Sequence, residues 1–288
     1  MTKERIATQC ICCGGKDLIK SPAILMPFVA KRVFDHEPVM IAEEWGMRDL
    51  HLGMAYSVCN TLKCIVCGVL FLDIRFSDIE MSALYTGYRN EEYTRLRNFY
   101  EPGYNRTNEY FSIRSEYISQ IETFLSPFVP AEPFILDWGG DDGINTPLKD
   151  VAHSVHIYDI SNKPVMAGML AVDLATVRRS KYDLIVCSQV FEHIPYPKDM
   201  LTEIVSVMNQ ETLFFLEVPY EALMRTHARS KDIHTLKRHW HEHINFFSEE
   251  SLLIMLEQAG LKVLEMKVTP ITHELRDCSV ISILCRCF

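Results

Sequence analysis

Two short cysteine pairs, Cys10-Ile11-Cys12-Cys13-Gly14 and Cys64-Ile65-Val66-Cys67-Gly68, are the residues of this chain best spaced for chemistry. In a C-x-x-C-G knuckle both thiolates face one point, and the glycine lets backbone N–H groups turn toward the sulfurs. Two knuckles supply four soft ligands, the tetrahedral set that Zn2+ prefers, with no position left open for a reactant. Cys10, Cys13, Cys64 and Cys67 are therefore expected to hold a structural zinc ion, with Cys12 and Cys59 spare. The alternatives are free thiols or a redox pair, and a redox pair needs only one knuckle in a βαβ setting. A second constellation is Trp240-His241-Glu242-His243. Histidine removes protons near neutral pH, and an adjacent acid can orient the imidazole or stabilise its charged form, so His243 with Glu242 reads as a general base. The same histidine could be structural, between a helix cap and a sheet. His239, His241 and His243 also alternate, which on a strand would make a metal site. The following sequence resembles a loop entering a capped helix, which favours the base. His227 and His234 are expected to be solvated.

The third constellation is Ile135-Leu-Asp-Trp-Gly-Gly-Asp-Asp-Gly143. It reads as a buried strand ending in Asp137, then a glycine-rich turn through Gly139, Gly140 and Gly143 that exposes backbone N–H groups at the tip of a sheet. The spacing is not that of a dinucleotide turn, because Asp141 rather than a glycine stands two residues after Gly139. Asp141 and Asp142 would repel a pyrophosphate but suit a cofactor carrying an ammonium and a sulfonium, as S-adenosylmethionine does. An acidic glycine turn can also be only a tight turn, so its surroundings must decide.

Those surroundings alternate strands with helices. Val155 to Asp159 is a strand ending in an acid about 20 residues after the turn, suited to accept hydrogen bonds from two ribose hydroxyls. Asp173-Leu174 can approach the adenine, Tyr182 to Cys187 is a buried strand with Ser188 to His193 as its exit, and Leu213 to Val218 is another, after a helix over Lys198 to Met208. Ser248 starts a helix through Ala259, and Leu261 to Val268 with Ser279 to Cys285 make an antiparallel edge. This is an α/β fold with a parallel sheet covered on both faces. Upstream, Ser77 and Glu80 form a capping box, and tyrosines Tyr85, Tyr88, Tyr93, Tyr100, Tyr104 and Tyr110 follow. Most read as interdomain packing, with one or two hydroxyls free to line a cleft. Ser112 to Phe124 is an amphipathic helix before Pro127, Pro130 and Pro133. The division is a zinc-binding domain over 1–80, a tyrosine-rich helical connector over 81–133 and a cofactor-binding domain over 134–288.

Length and composition agree with one large domain plus an appendage: 288 residues, 48% hydrophobic, 23% charged. A net charge of −9 speaks against a nucleic-acid partner. Neither a signal-peptide core nor an apolar run of ~18 residues is present, so no membrane partner and a cytoplasmic location are expected. The ten cysteines fit metal binding in a reducing compartment better than disulfides. Nothing in the sequence fixes the oligomeric state.

From Phe134 onward these residues resemble the class I S-adenosylmethionine-dependent methyltransferases, whose seven-stranded sheet ends in an antiparallel edge. Ile135 to Gly143 corresponds to the family's first motif, Asp159 to the acid after the second strand, and Asp173-Leu174 to the adenine-side pair, while Ser188 opens the fourth strand's exit. Asp141 replaces the usual middle glycine. Over most of the chain the order of motifs is similar to the zinc-containing sugar C-methyltransferases: two knuckles, a tyrosine-rich helix, His193-Ile194-Pro195-Tyr196, a strand ending Glu217-Val218-Pro219-Tyr220, then Trp240 to Ser248. That resemblance implies a sugar, nucleotide-sugar or glycan-precursor acceptor, methylated at carbon or oxygen. It implies His243 and Glu242 as the catalytic pair, His193 as a further active-site histidine, and Tyr88 or Tyr85 as an active-site tyrosine. Trp240 stands where that family commonly has tyrosine, and the resemblance stops at Phe288 without the family's C-terminal domain, leaving the acceptor open. The other readings are a methyltransferase fold that only binds, motivated by Asp141, and a protein, RNA or small-metabolite methyltransferase, RNA being disfavoured by the acidic balance.

Overall fold

The computed structural model describes residues 3–41, 53–105, 114–161, 163–227, 230–273 and 276–288. Tyr110 and the first residues of the helix expected from Ser112 lie outside them; the helix is seen over Ile118–Leu125. Among the described residues fourteen strands follow in chain order. They are β1 (Leu18–Leu25), β2 (Val39–Ile41), β3 (Gly53–Ala55), β4 (Val58–Cys64), β5 (Leu70–Leu72), β6 (Phe134–Trp138), β7 (Ser154–Tyr158), β8 (Leu170–Ala171), β9 (Leu184–Ser188), β10 (Leu213–Pro219), β11 (His239–Trp240), β12 (Asn245–Phe246), β13 (Leu261–His273) and β14 (Arg276–Cys287).

The larger sheet has seven strands in the order β13-β14-β10-β9-β6-β7-β8. β6, β7, β8, β9 and β10 are parallel, and β14 runs antiparallel to both β10 and β13. The central strands are continuous apolar runs because both faces are covered, and β6, β9 and β10 are buried almost throughout. The antiparallel edge is the one expected from the sequence, though β13 and β14 extend further. The chain steps from β6 outward to β7 and β8, then returns to β9 on the other side of β6. At such a reversal the loops leaving the two strands' carboxyl ends diverge and open a crevice.

The smaller sheet, in the order β11-β1-β4-β5-β12, takes its two edge strands from far along the chain. β11 lies parallel to β1 and β12 antiparallel to β5, so residues 239–246 enter at one edge and leave at the other. This strap is fixed by Trp240, fully buried, whose Nε1–H donates to Thr61 Oγ1 at 2.8 Å, while the Thr61 hydroxyl donates to the Lys237 carbonyl at 2.6 Å. Trp240→Phe removes that bond and leaves a small void. It is expected to cost about 1–3 kcal/mol, read as a lower urea midpoint at unchanged slope.

Helix Asp78–Tyr85 starts on the expected capping box, with Ser77 accepting from the Glu80 N–H and Glu80 from the Ser77 N–H at 2.7 Å. It packs with helices Pro27–Phe34 and Glu91–Tyr100 over one face of the small sheet. The segment between the knuckles carries β1, the helix Pro27–Phe34, β2, β3 and β4, which ends on Cys64. The knuckle cysteines are packed in the same core as Trp138, Phe191, Phe247, Leu252 and Leu256, so the two sheets share apolar interior. No described helix is long and apolar enough to cross a membrane.

Candidate active site

The glycine turn leaves β6 with Gly139 and Gly143 in the left-handed region, φ 83° and 84°. The sequence suggested that these glycines let a cofactor come close, but protein side chains already fill the space beside them. A Cβ on Gly139 would lie 2.5 Å from Val190, one on Gly140 2.5 Å from Asp137, and one on Gly143 2.3 Å from Met169. Asp137 is buried beneath the turn, where its carboxylate accepts from the Thr146 hydroxyl at 2.5 Å and burial raises its pKa to about 7. It braces the turn from below.

Asp141 is also left-handed, φ 54°, a conformation that aspartate tolerates better than most residues. Its N–H donates to Asp159 Oδ2 at 3.0 Å, tying the turn to the end of β7. Its carboxylate meets Lys163 Nζ at 2.8 Å and Arg89 Nη1 at 3.7 Å. The Asp159 carboxylate, half-buried, also accepts from the Ser161 N–H at 2.7 Å. Asp173 is exposed and caps the helix Leu174–Arg179 through the Thr176 N–H at 2.8 Å. Ser188 ends β9 opposite Glu217 of β10.

The loop after β9 delivers Glu192 and His193. The strap's backbone is stitched to that loop: the Ile244 and Asn245 N–H groups donate to the Glu192 carbonyl at 2.8 and 3.0 Å, and Asn245 Nδ2 donates to the Phe191 and Ile194 carbonyls. Buried Arg75 holds Asn245 Oδ1 at 3.0 Å and the Pro195 carbonyl at 3.1 Å. These bonds set His243 against His193, ring centroids 4.7 Å apart and edge to face. His193 Nδ1 lies 3.0 Å from the Glu242 carbonyl, and His243 Nδ1 lies 2.7 Å from Glu221 Oε1.

The acid that orients His243 is therefore Glu221, just past the end of β10, and not its neighbour Glu242. The Glu242 side chain instead takes Arg97 Nη1 at 2.8 Å, and Arg97 Nε holds Glu101 at 2.9 Å. Burial opposes charge on Glu242, but Arg97 prevails and holds its pKa down at about 2. His241 lies 3.3 Å from Glu101, His239 is exposed, and His243 has Glu221, so the three alternating imidazoles point to different surroundings. His234, expected in solvent, is 7% exposed. The helix Ile233–Leu236 folds it inward against the small sheet.

The two histidines are driven apart electrically. Burial, with His243 adding repulsion, lowers the His193 pKa to about 3. At His243 burial also works against the charge, but the Glu221 bond and the fields of Glu221, Glu192 and Glu242 outweigh it and raise the pKa to about 9. Glu221→Gln is expected to lower the His243 pKa by about one to two units, the worth of one charge-assisted hydrogen bond. An NMR titration of the His243 ring protons measures it, and an unmoved midpoint would assign the shift elsewhere.

Tyr85 and Tyr88 bridge the two halves. The Tyr85 ring packs on His193 with centroids 5.8 Å apart, and its buried hydroxyl has no hydrogen-bond partner among the described residues. Tyr88 packs on Tyr85 and lies under Lys163 and Arg89, the two cations that hold Asp141. Glu192, Glu221, Arg97, Lys163 and Arg89 were not evident from the sequence. Glu192 and Glu221 had a signal, their places just beyond the carboxyl ends of the parallel strands β9 and β10.

Near the strap, Cys10 Sγ lies 3.4 Å from Cys67 Sγ and Cys13 Sγ 3.5 Å from Cys64 Sγ, with one sulfur of each of the four within 4.8 Å of the others. The N–H groups of Cys12, Cys13 and Gly15 point at these sulfurs from 3.4 to 3.5 Å. Gly14 and Gly68 are left-handed at φ 75° and 78°, as the knuckle turn requires. The spacing suits an ion bound at about 2.3 Å from each sulfur.

A doubly wound α/β sheet with a glycine turn at its switch point and a paired histidine cluster beside it defines a cofactor-binding enzyme class. The sequence profile of a methyltransferase domain matches residues 110–266, more than half of the chain. The chain belongs to that family and is an S-adenosylmethionine-dependent methyltransferase. Among curated proteins it is 31% identical over 83 residues to the C-methyltransferase NovU of Streptomyces niveus, a match over 29% of this chain and 18% of that protein. Among solved structures it is similar to the 1,6-didemethyltoxoflavin-N1-methyltransferase of Burkholderia thailandensis, at TM-score 0.47 and 14% identity, covering 68% of this chain and 89% of that one. It is likewise similar to the magnesium protoporphyrin IX methyltransferase of Synechocystis PCC 6803, at TM-score 0.42 and 15% identity, covering 69% and 93%.

Proposed function

We propose that the enzyme methylates a carbon or oxygen of a sugar, nucleotide-sugar or glycan precursor, with His243 as general base. The observation that carries the reading is the His243–Glu221 pair facing His193 in the loops beyond the sheet's carboxyl ends. The partial match to a C-methyltransferase favours carbon as the acceptor atom. The donor, when bound, would supply a methyl group activated by its sulfonium; the acceptor's electron pair would displace S-adenosylhomocysteine from that carbon, and His243 would take up the acceptor proton. His193 and Tyr88, with Tyr85, would line the acceptor side, and Glu242, locked by Arg97, would keep the strap in place.

On the donor side, Gly139, Gly140 and Gly143 would shape the turn over Asp137, Asp159 would take the ribose hydroxyls, and Leu174 and Ser188 would border the adenosine. Asp141 would meet the donor's ammonium, sharing its carboxylate with Lys163. Cys10, Cys13, Cys64 and Cys67 would hold a structural zinc ion in a domain over 1–80, joined through 81–133 to the donor-binding domain over 134–288. The reading suits a cytoplasmic protein with reduced thiols.

The test is S-adenosylhomocysteine release across a panel of nucleotide-sugars and glycan precursors, with calorimetry of S-adenosylmethionine alone alongside. Donor binding with turnover on a keto-sugar nucleotide is the expected result. Donor binding with turnover only on non-sugar metabolites would overturn the acceptor class.

A further inference from the structure

Glu192 is 1% exposed, and its Oε2 accepts no hydrogen bond among the described residues. A buried carboxylate with an open oxygen needs a partner, and the side chains around it indicate what kind. His193 Nε2 lies 3.6 Å from Glu192 Oε1, and one ligand atom from each of Glu192, His193 and His243 lies within 4.8 Å of the other two. Two ligand atoms on one tetrahedral metal ion stand about 3.4 Å apart, so a small side-chain rotation closes the set. Both imidazoles already have Nδ1 committed, His193 to the Glu242 carbonyl at 3.0 Å and His243 to the Glu221 carboxylate at 2.7 Å. That is the outer-shell arrangement that fixes Nε2 as the lone-pair nitrogen of metal-binding histidines.

We propose that Glu192, His193 and His243 form a binding site for a divalent transition-metal ion, separate from the four cysteines. Two imidazole nitrogens and one carboxylate oxygen are a borderline donor set, suited to Zn2+ or Co2+ and poorly suited to Mg2+ or Ca2+. Three protein ligands leave at least one coordination position open. The ion and a proton compete for His243 Nε2. Where His243 is the base, filling the site therefore inhibits methyl transfer; that consequence rests on the function proposed above, whereas the site itself does not.

The experiment is a Co2+ titration of the protein as purified, followed by visible absorption and calorimetry, with Mg2+ as the control cation. One equivalent is expected to give d–d bands without a sulfur-to-cobalt charge-transfer band. Glu192→Gln and His193→Asn are each expected to weaken its binding at least tenfold while thermal unfolding stays cooperative. Absence of that equivalent, or its persistence at full affinity in both variants, overturns the site. Turnover is recorded across the same titration: a fall as the site fills is the expected result, and a rise leaves the metal site standing while removing His243 as the base.

Discussion

His243→Ala is expected to lower the turnover number by about 10^2 to 10^4 while leaving the affinity for S-adenosylmethionine within about twofold of the wild type. The first half follows from the base assignment. The second follows because, among the described residues, Asp137 is held by Thr146, Asp141 by Lys163 and Arg89, and Asp159 by the Ser161 N–H, all away from His243. The pH dependence carries the sharper signature. With its pKa raised to about 9, His243 is mostly protonated at neutral pH, and only the neutral minority can accept the acceptor's proton. The logarithm of kcat/KM should therefore rise with unit slope through neutral pH and level off near pH 9, and the alanine variant should lose that limb. His193 cannot produce it, since burial holds its pKa near 3. Stability runs the other way. A histidine whose folded pKa is raised stabilises the folded state while it is charged, so this contribution is present below about pH 6.5 and is lost as pH rises through about 9. Wild-type turnover in the variant, or a limb that survives it, would remove His243 from the chemistry.

The large sheet was legible because its strands announce themselves one at a time. Ile135 to Asp137, Leu184 to Cys187 and Leu213 to Val218 are apolar runs bounded by polar or turn residues, and a strand buried on both faces has little choice of composition. Ser77 with Glu80 and Ser248 as caps were equally local, because a cap is satisfied within four residues. The small sheet was not legible at its edges. Each of β11 and β12 is two residues long, below any periodicity, and each exists only because β1 and β5 offer an open edge. The site shows the same divide. His193 and His243 were found by residue type, but their partners are contacts at a distance: Glu221 is 22 positions from His243, and Arg97 is 145 from Glu242. The adjacent acid was the natural guess for His243. Side chains of successive residues point in different directions, however, and in this extended strap Glu242 turns to the helix Glu91–Tyr100 while His243 turns to the end of β10. Asp141 resisted prediction for a related reason. Its sequence offered a bare carboxylate for an ammonium, whereas the fold brings Lys163 and Arg89 to it from two other segments.

If the four cysteines hold the zinc ion proposed above, Cys64→Ser is expected to abolish its binding and lower the melting temperature by on the order of 10 °C, a loss of several kcal/mol in a chain of this size. The argument starts from where the thiol sits. Cys64 is fully buried at the end of β4, whose N–H there donates to the Val69 carbonyl at 3.0 Å and whose carbonyl accepts from Gly68, so its side chain cannot swing out to water. Without an ion, four sulfurs within 4.8 Å of one another would share protons and repel as thiolates; with one, each is a ligand. The effect should spread because the knuckles are pinned to the methyltransferase fold. Ser248 Oγ donates to the Cys67 carbonyl at 3.0 Å while also capping the helix Glu249–Gln258, and Gln258 Nε2 donates to the Cys13 carbonyl at 3.3 Å. Loosening the knuckles thus loosens the segment that follows the strap and, with it, the position of His243. Cys59→Ala is the control: it is equally buried but outside the cluster, and it should keep the zinc and cost only about 1 kcal/mol of packing. Metal content by mass spectrometry, thermal unfolding and limited proteolysis of the two variants decide the matter. A Cys64→Ser protein that melts with the Cys59→Ala protein, whatever its zinc content, would show that the four-cysteine cluster does not hold the two sheets together.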